Sequence, residues 1–302
     1  MLETGLIHSV NAMAMGLLDV PAATILWDFL QTDLPNYTGD LIAHLRAVII
    51  LAGLVIGFLV GLTGVGGGIL MTPLLIFLGV RPTVAVGTDL FYASFTKLVG
   101  SHEHWKRGSI HWEWVLYLAI GSVPASLGAS YFLHFVMVRF GSAERLVQLA
   151  LGGVLLLSSV ITLLNEVYWK PRRGTGITKP LEPQAHFLKI ILLGAAVGFM
   201  VGLTSLGSGA VVAVVLMAMS GLSATSIVGT DIAHALVLVS AASLAHWHFG
   251  TVDVPLAANL LIGSLPGVIL GSRMAYYMPA RPLKVGMAML VLAGGLRMFH
   301  VF

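Results

Sequence analysis

Apolar positions run along this chain in long stretches separated by short polar loops. The stretches are Leu41–Leu62, Thr83–Gly100, Trp114–Val138, Leu146–Leu164, Phe187–Thr204, Ala224–Ala245, Val254–Met278 and Pro282–Phe302. Most reach the roughly 17–25 residues that a helix needs to cross a bilayer. Two further apolar segments, Ile69–Val80 and Ala210–Met219, would span only about 15–18 Å as helix, against about 30 Å of hydrocarbon. The pattern predicts an all-α polytopic membrane protein. The two short segments read as half-helices near the midplane, or as arms of re-entrant hairpins.

Composition supports this and narrows the chemistry. The 302 residues are 57% hydrophobic and 10% charged, against about 25% charged for a soluble domain. With no cysteine, disulfides, thiolate ligands and cysteine nucleophiles are excluded. The opening "MLETGLIHSV" has no basic region, so no cleaved signal peptide is expected. The net charge of +3 lies mostly in loops. It bears on orientation in the bilayer and gives no reason to expect nucleic acid.

The chain repeats itself. "GFLVGLTGVGGG" at Gly57–Gly68 matches "GFMVGLTSLGSG" at Gly198–Gly209 in eight of twelve positions. With one residue inserted in the second copy, "VGTD" at Val86–Asp89 answers "VGTD" at Val228–Asp231. His104-Trp105 then answers His246-Trp247, and Gly121-Ser122 with Pro124 answers Gly263-Ser264 with Pro266. The chain thus divides into four regions: an acidic extension over 1–40, a first membrane repeat over 41–164, a basic connector over 165–186 and a second repeat over 187–302. Gly5–Leu30 within the extension could form an amphipathic or extra helix.

Each repeat holds five apolar segments. An odd number of crossings per repeat would turn the second copy upside down, whereas a single crossing by the first two segments would leave the copies parallel. Loop charge favours inversion. The connector to Lys189 carries five Lys/Arg and two acids, which places it in the cytoplasm. "HEHWKRGSIH" (His102–His111) then falls inside, and its counterpart "HWHFGTVD" (His246–Asp253), without Lys or Arg, falls outside. Arg281 and Lys284 return inside, and the first 45 residues, with five acids and no base, suit the outer face. Arg46, Arg81, Arg139 and Arg145 run against this assignment.

The candidate chemistry sits where the helices break. Five glycines fall between Gly61 and Gly68, although each costs a helix about 1 kcal/mol relative to Ala. Inverted repeats with interrupted helices are a signature of secondary transporters. A break that opens a new helix presents free N–H groups and the positive dipole end, which suit an anion. The candidate binding residues are Thr63, Gly64, Gly66, Gly67 and Gly68 in the first break. Thr204, Ser205, Gly207, Ser208 and Gly209 are their counterparts in the second. Close packing of small residues is the competing explanation. No Lys follows the glycines and no strand precedes them, so neither a P-loop nor a dinucleotide fingerprint is present.

The segments "GLTGVGGGILMTPLLIFLGV", "AVGTDLFYASFTKLVGSHEHWKRGSIHW" and "VGTDIAHALVLVSAASLAHWHFGTVD" resemble the TauE/SafE family of sulfite exporter-like permeases. The resemblance covers Ala47 to Phe302 and includes both repeat motifs in order. It implies an exporter of a small sulfur-containing anion, such as sulfite or an organosulfonate like sulfoacetate, in a bacterial inner membrane.

Charges inside spanning segments are functional candidates by default. Asp89 and Asp231 occupy equivalent positions, beside Thr88 and Thr230, and either carboxylate could take up and release protons. His234 follows Asp231 by one helical turn, a spacing that suits proton coupling. Tyr92 holds the matching place in the first repeat. Lys97 could neutralise an anion, or pair with an acid. The His-x-His runs at His102, His104, His246 and His248 fit an interfacial belt with Trp105, Trp112, Trp114 and Trp247 better than a metal site, because the two clusters fall on opposite faces. No metal or cofactor is expected. The reading is a proton-coupled secondary transporter working by alternating access, with the bilayer, protons and a small anion as partners and a homodimer left open. A transporter of divalent metal or another cation, using Asp89, Asp231 and His234, is the alternative. An embedded hydrolase lacks a nucleophile–base pair in either repeat.

Overall fold

The structure is a computed structural model that describes residues 38–63, 68–167, 186–206, 209–274 and 280–300. The extension before residue 38, the connector over 168–185, and Gly64, Gly66, Gly67, Gly207 and Ser208 lie outside the described residues. Among the described residues every regular element is helical. In order these are α1 (Thr38–Thr63), α2 (Gly68–Phe77), α3 (Pro82–Lys106), α4 (Trp112–Phe140) and α5 (Glu144–Val167). They are succeeded by α6 (Phe187–Thr204), α7 (Ala210–Met219), α8 (Ala224–His248), α9 (Val254–Met274) and α10 (Ala280–His300). The chain divides into two units at Ile49 and Ile50. Of the first, only the opening turns of α1 are described. The second holds the rest of α1 and every later helix.

Among the described residues five helices are long and apolar enough to cross a membrane: Trp112–Phe140, Glu144–Leu164, Phe187–Thr204, Thr225–His248 and Val254–Met274. α3 is as long, but Asp89, Lys97, Glu103 and Lys106 lower its hydropathy. α3 also continues past the predicted end at Gly100, because the polar "SHEHWK" turn stays helical. The two short segments are helices of ten residues each. The first stops at Phe77, short of the predicted Val80, because Gly79 takes φ 86° and turns the chain.

Local signals set the ends. Pro82 opens α3, where its missing N–H would have had no partner. Ser223 caps α8, its hydroxyl accepting from Ser226 N at 3.2 Å. Gly141 closes α4 in the left-handed conformation, with Glu113 in the first turn and Arg139 in the last complementing the helix dipole. Leu244 and Val138, each 72% exposed, turn outward as lipid-facing side chains do.

Lipid gives no hydrophobic drive for helices to associate, so close backbone approach carries more of the packing. α4 lies along α6 and α5 along α10, while α8 packs on both α3 and α4. Gly194, Gly198 and Gly202 of α6 stand against the carbonyls of Leu118, Ser122 and Ser126 on α4, leaving no space for a side chain. Their counterparts Gly53, Gly57 and Gly61 of α1 stand in the same way against Leu260, Ser264 and Val268 on α9. The first helix of each half therefore packs on the fourth helix of the other half.

A second exchange joins the helix starts to the loops. Thr88 Oγ1 accepts from Asp253 N at 3.0 Å, and its counterpart Thr230 Oγ1 accepts from His111 N at 3.0 Å. Gly87 abuts Thr251, and Gly229 abuts Ser109. The beginning of α3 thus lies beside the end of α8 and the beginning of α8 beside the end of α3. The two counterpart helices run antiparallel.

Candidate functional site

Asp89 is fully buried, next in sequence to the Thr88 that holds the opposite loop. Its Oδ2 accepts from Thr72 Oγ1 on α2 at 2.7 Å and from Ser205 Oγ beyond α6 at 2.6 Å. Gly68, the first residue of α2, is close enough that an added Cβ would lie 3.1 Å from Asp89 Oδ2 and 2.8 Å from Ser205 O. The end of the first glycine break and the start of the second therefore meet on one carboxylate. Ser205 reaches it from a left-handed backbone with φ 62°, a conformation that costs a residue with a side chain about 1–2 kcal/mol. Asp89 Oδ1 is buried and unpartnered among the described residues.

Among the described residues the second half does not repeat this cage. Asp231 is buried with Oδ1 unpartnered among the described residues. The positions answering Ser205 and Thr72 fall on Gly64 and on the apolar Ala213-Val214, which bring no hydroxyl. His234, fully buried on α8, is joined to Ser122 of α4 by a 2.9 Å contact between Nε2 and Oγ, and its Nδ1 is unpartnered among the described residues. Tyr92 faces Ser264, the counterpart pair in the other half. Lys97, half-buried on α3, lies within electrostatic range of Asp89, Asp231 and His234. Lys97 thus lies along α3 between Asp89 at the start of that helix and the Asp231–His234 turn at the start of α8, and Asp89, Asp231 and His234 each leave one buried polar atom open among the described residues. Native interiors leave few such atoms unsatisfied, and each asks for an explanation such as a ligand or a proton.

The predicted hydroxyls are placed differently from one another. Ser205 is turned toward Asp89. Thr204 Oγ1 donates to Met200 O at 2.7 Å and accepts from Leu206 N at 3.2 Å. Thr88 and Thr230 hold the exchanged loops. Thr63 ends α1, and Gly209 caps α7. Sequence reasoning missed Thr72 and Ser122. Thr72 was visible as the lone hydroxyl in an apolar decamer, whereas nothing local distinguishes Ser122 from a packing residue. Among the described residues no three His, Asp or Glu side chains converge as a metal site requires.

Comparison with known proteins settles the family. The sequence model described as "Sulfite exporter TauE/SafE" matches residues 49–298. The chain belongs to this family. It is 46% identical over 253 residues to the "Probable membrane transporter protein YjnA" of Bacillus subtilis, covering 83% of this chain and 98% of that one. A second Bacillus subtilis relative, "Probable membrane transporter protein YdhB", is 26% identical over 239 residues, 78% of this chain and 93% of its own. An Arabidopsis thaliana protein named "Sulfite exporter TauE/SafE family protein 1" is 32% identical over 108 residues, 36% of this chain and 24% of its own. No solved structure matches the chain. Like these relatives, this TauE/SafE protein is a membrane protein of transporter type, and its described residues form helices alone.

Proposed function

We propose that this chain is a secondary transporter that exports a small sulfur-containing anion, sulfite or an organosulfonate such as sulfoacetate, by alternating access coupled to protons. The observation that carries the reading is the convergence of Gly68 and Ser205 on buried Asp89, with Lys97 in electrostatic range. The substrate class rests on the family. Backbone N–H groups at the two breaks bind the anion and Lys97 balances its charge in a poorly hydrated site. Asp231 and His234, each with an open polar atom, carry the coupled proton, and Asp89 ties the breaks together between transport steps. The antiparallel run of α3 and α8 supports inverted halves, and so does the basic connector, which faces the cytoplasm of an inner-membrane protein.

Lys97→Met and Asp231→Asn test the reading together. A charge-assisted contact is worth roughly 1.5–3 kcal/mol, so Lys97→Met weakens binding of sulfite or sulfoacetate about ten- to a hundredfold. Asp231→Asn keeps binding and removes its dependence on pH, read by comparing affinity at about pH 6 with that at about pH 8. If Asp231→Asn abolishes binding while Lys97→Met leaves it intact, the cargo is a cation instead.

A further inference from the structure

His246 completes the C-terminus of α6. The Gly202 carbonyl lies in the last turn of α6, where the amide four residues on would ordinarily bond to it. That amide, Leu206 N, turns to Thr204 Oγ1 instead, because the chain leaves the helix at Ser205 with φ 62°. The Nε2–H of His246 supplies the missing bond to Gly202 O at 3.1 Å, reaching from α8 to α6. Its Nδ1 faces Thr251 Oγ1 at 2.9 Å, and the residue is only 3% exposed. The loop after α8 is thereby pinned to the broken end of α6.

The repeat puts His104 in the place of His246 and Gly61 in the place of Gly202. One part of the arrangement recurs, since His104 Nδ1 faces Ser109 Oγ at 2.8 Å. The other part does not. Among the described residues no bond joins His104 Nε2 to Gly61, and His104 is partly exposed. From Gly87, beside the His246 loop, α3 rises about 25 Å to His104. The two histidines therefore sit at opposite ends of the α3–α8 pair, one docked and one free of its helix end.

Unequal closure of two equivalent elements is what alternating access requires of a two-repeat transporter. The geometry points to His246 and His104 as paired gate latches, each shutting one end by donating Nε2–H to the last-turn carbonyl of the glycine-broken helix in its own half. The described conformation is shut at the His246 end. In the opposite state His246 leaves Gly202 and His104 docks on Gly61. This deepens the alternating-access reading and rests on it. A narrow cleft lined by Thr83, Ser130, His134, His246, Phe249 and Thr251 lies at this end and serves as the vestibule of the shut gate.

The chain has no cysteine, so Ser130→Cys, at a position 1% exposed in this state, reports on that gate alone. Its rate of modification by a small charged thiol reagent is measured on the full-length protein in lipid nanodiscs, where both faces are open to the reagent. His246→Ala raises the rate about fivefold, the factor given by a net hydrogen bond of about 1 kcal/mol. His246→Gln, which keeps a donor, stays near the parent. His104→Ala lowers the rate by a similar factor, because it weakens only the state in which the His246 end is open. An unchanged rate in His246→Ala, or a rise in both alanine variants, overturns the latch. If His246→Ala does not fold, His104→Ala decides alone. Transport of sulfite by the parent is assayed separately. Transport without reciprocal labelling removes the latch only, and reciprocal labelling without transport removes the substrate reading only.

Discussion

Ser205 donates its hydroxyl to Asp89 Oδ2 at 2.6 Å, joining residues 116 positions apart from opposite halves of the repeat. The bond does two things at once. It holds Ser205 in a left-handed backbone that a residue with a Cβ resists, and it occupies the lone-pair side of Asp89 that faces the second break. With Thr72 on the same oxygen, Asp89 is caged, whereas no such pair of hydroxyls reaches Asp231 among the described residues. Two carboxylates equivalent in sequence are therefore unequal in chemistry, and that inequality assigns one to structure and the other to proton exchange in the proposed cycle.

Ser205→Ala removes the hydroxyl and keeps the unfavourable φ, so it destabilises the protein by about 2 kcal/mol, as for a hydrogen bond to a charged acceptor. Ser205→Gly loses the same bond but relieves the backbone, recovering about 1 kcal/mol. Thermal melting in detergent should rank wild type above Gly and Gly above Ala. An alanine variant that melts with the wild type would show that the hydroxyl contributes nothing.

The glycines at the exchanged helix contacts are predicted to be intolerant of even one carbon. A Cβ at Gly198 would collide with the Ser122 carbonyl and one at Gly57 with the Ser264 carbonyl. Overpacking of this kind typically costs about 1–3 kcal/mol. Gly128→Ala meets nothing within 4 Å and serves as the control, neutral or slightly stabilising. Size-exclusion profiles of the three variants check this, and a monodisperse, wild-type-like Gly198→Ala would refute the close approach.

Lys106 and His248 are exposed counterparts, one at the end of α3 and the other at the end of α8. With the halves inverted, Lys106→Cys is protected from an impermeant thiol reagent in intact cells while His248→Cys is labelled. Permeabilising the cells should then equalise the two. Equal labelling of both before permeabilisation would mean that the halves are parallel.

Hydropathy and the repeat were legible along the chain because both are local and one-dimensional. A run of apolar residues must cross lipid or be buried, and "GLT…VGTD…HW" recurring in register must fold twice in the same way. The ten-residue length of α7 could be read directly, as could the family and the candidates Asp89, Asp231, His234 and Lys97. The partners of these groups could not be read. Thr72, Ser122 and Gly202 are distant in sequence from Asp89, His234 and His246, and a serine in a glycine-rich membrane helix looks the same whether it packs or bonds. Which hydroxyl reaches which carboxylate depends on how closely the backbones of α4 and α6, and of α1 and α9, approach. That distance is set by glycines on one helix meeting carbonyls on another, a property of the assembled pair that neither segment carries alone.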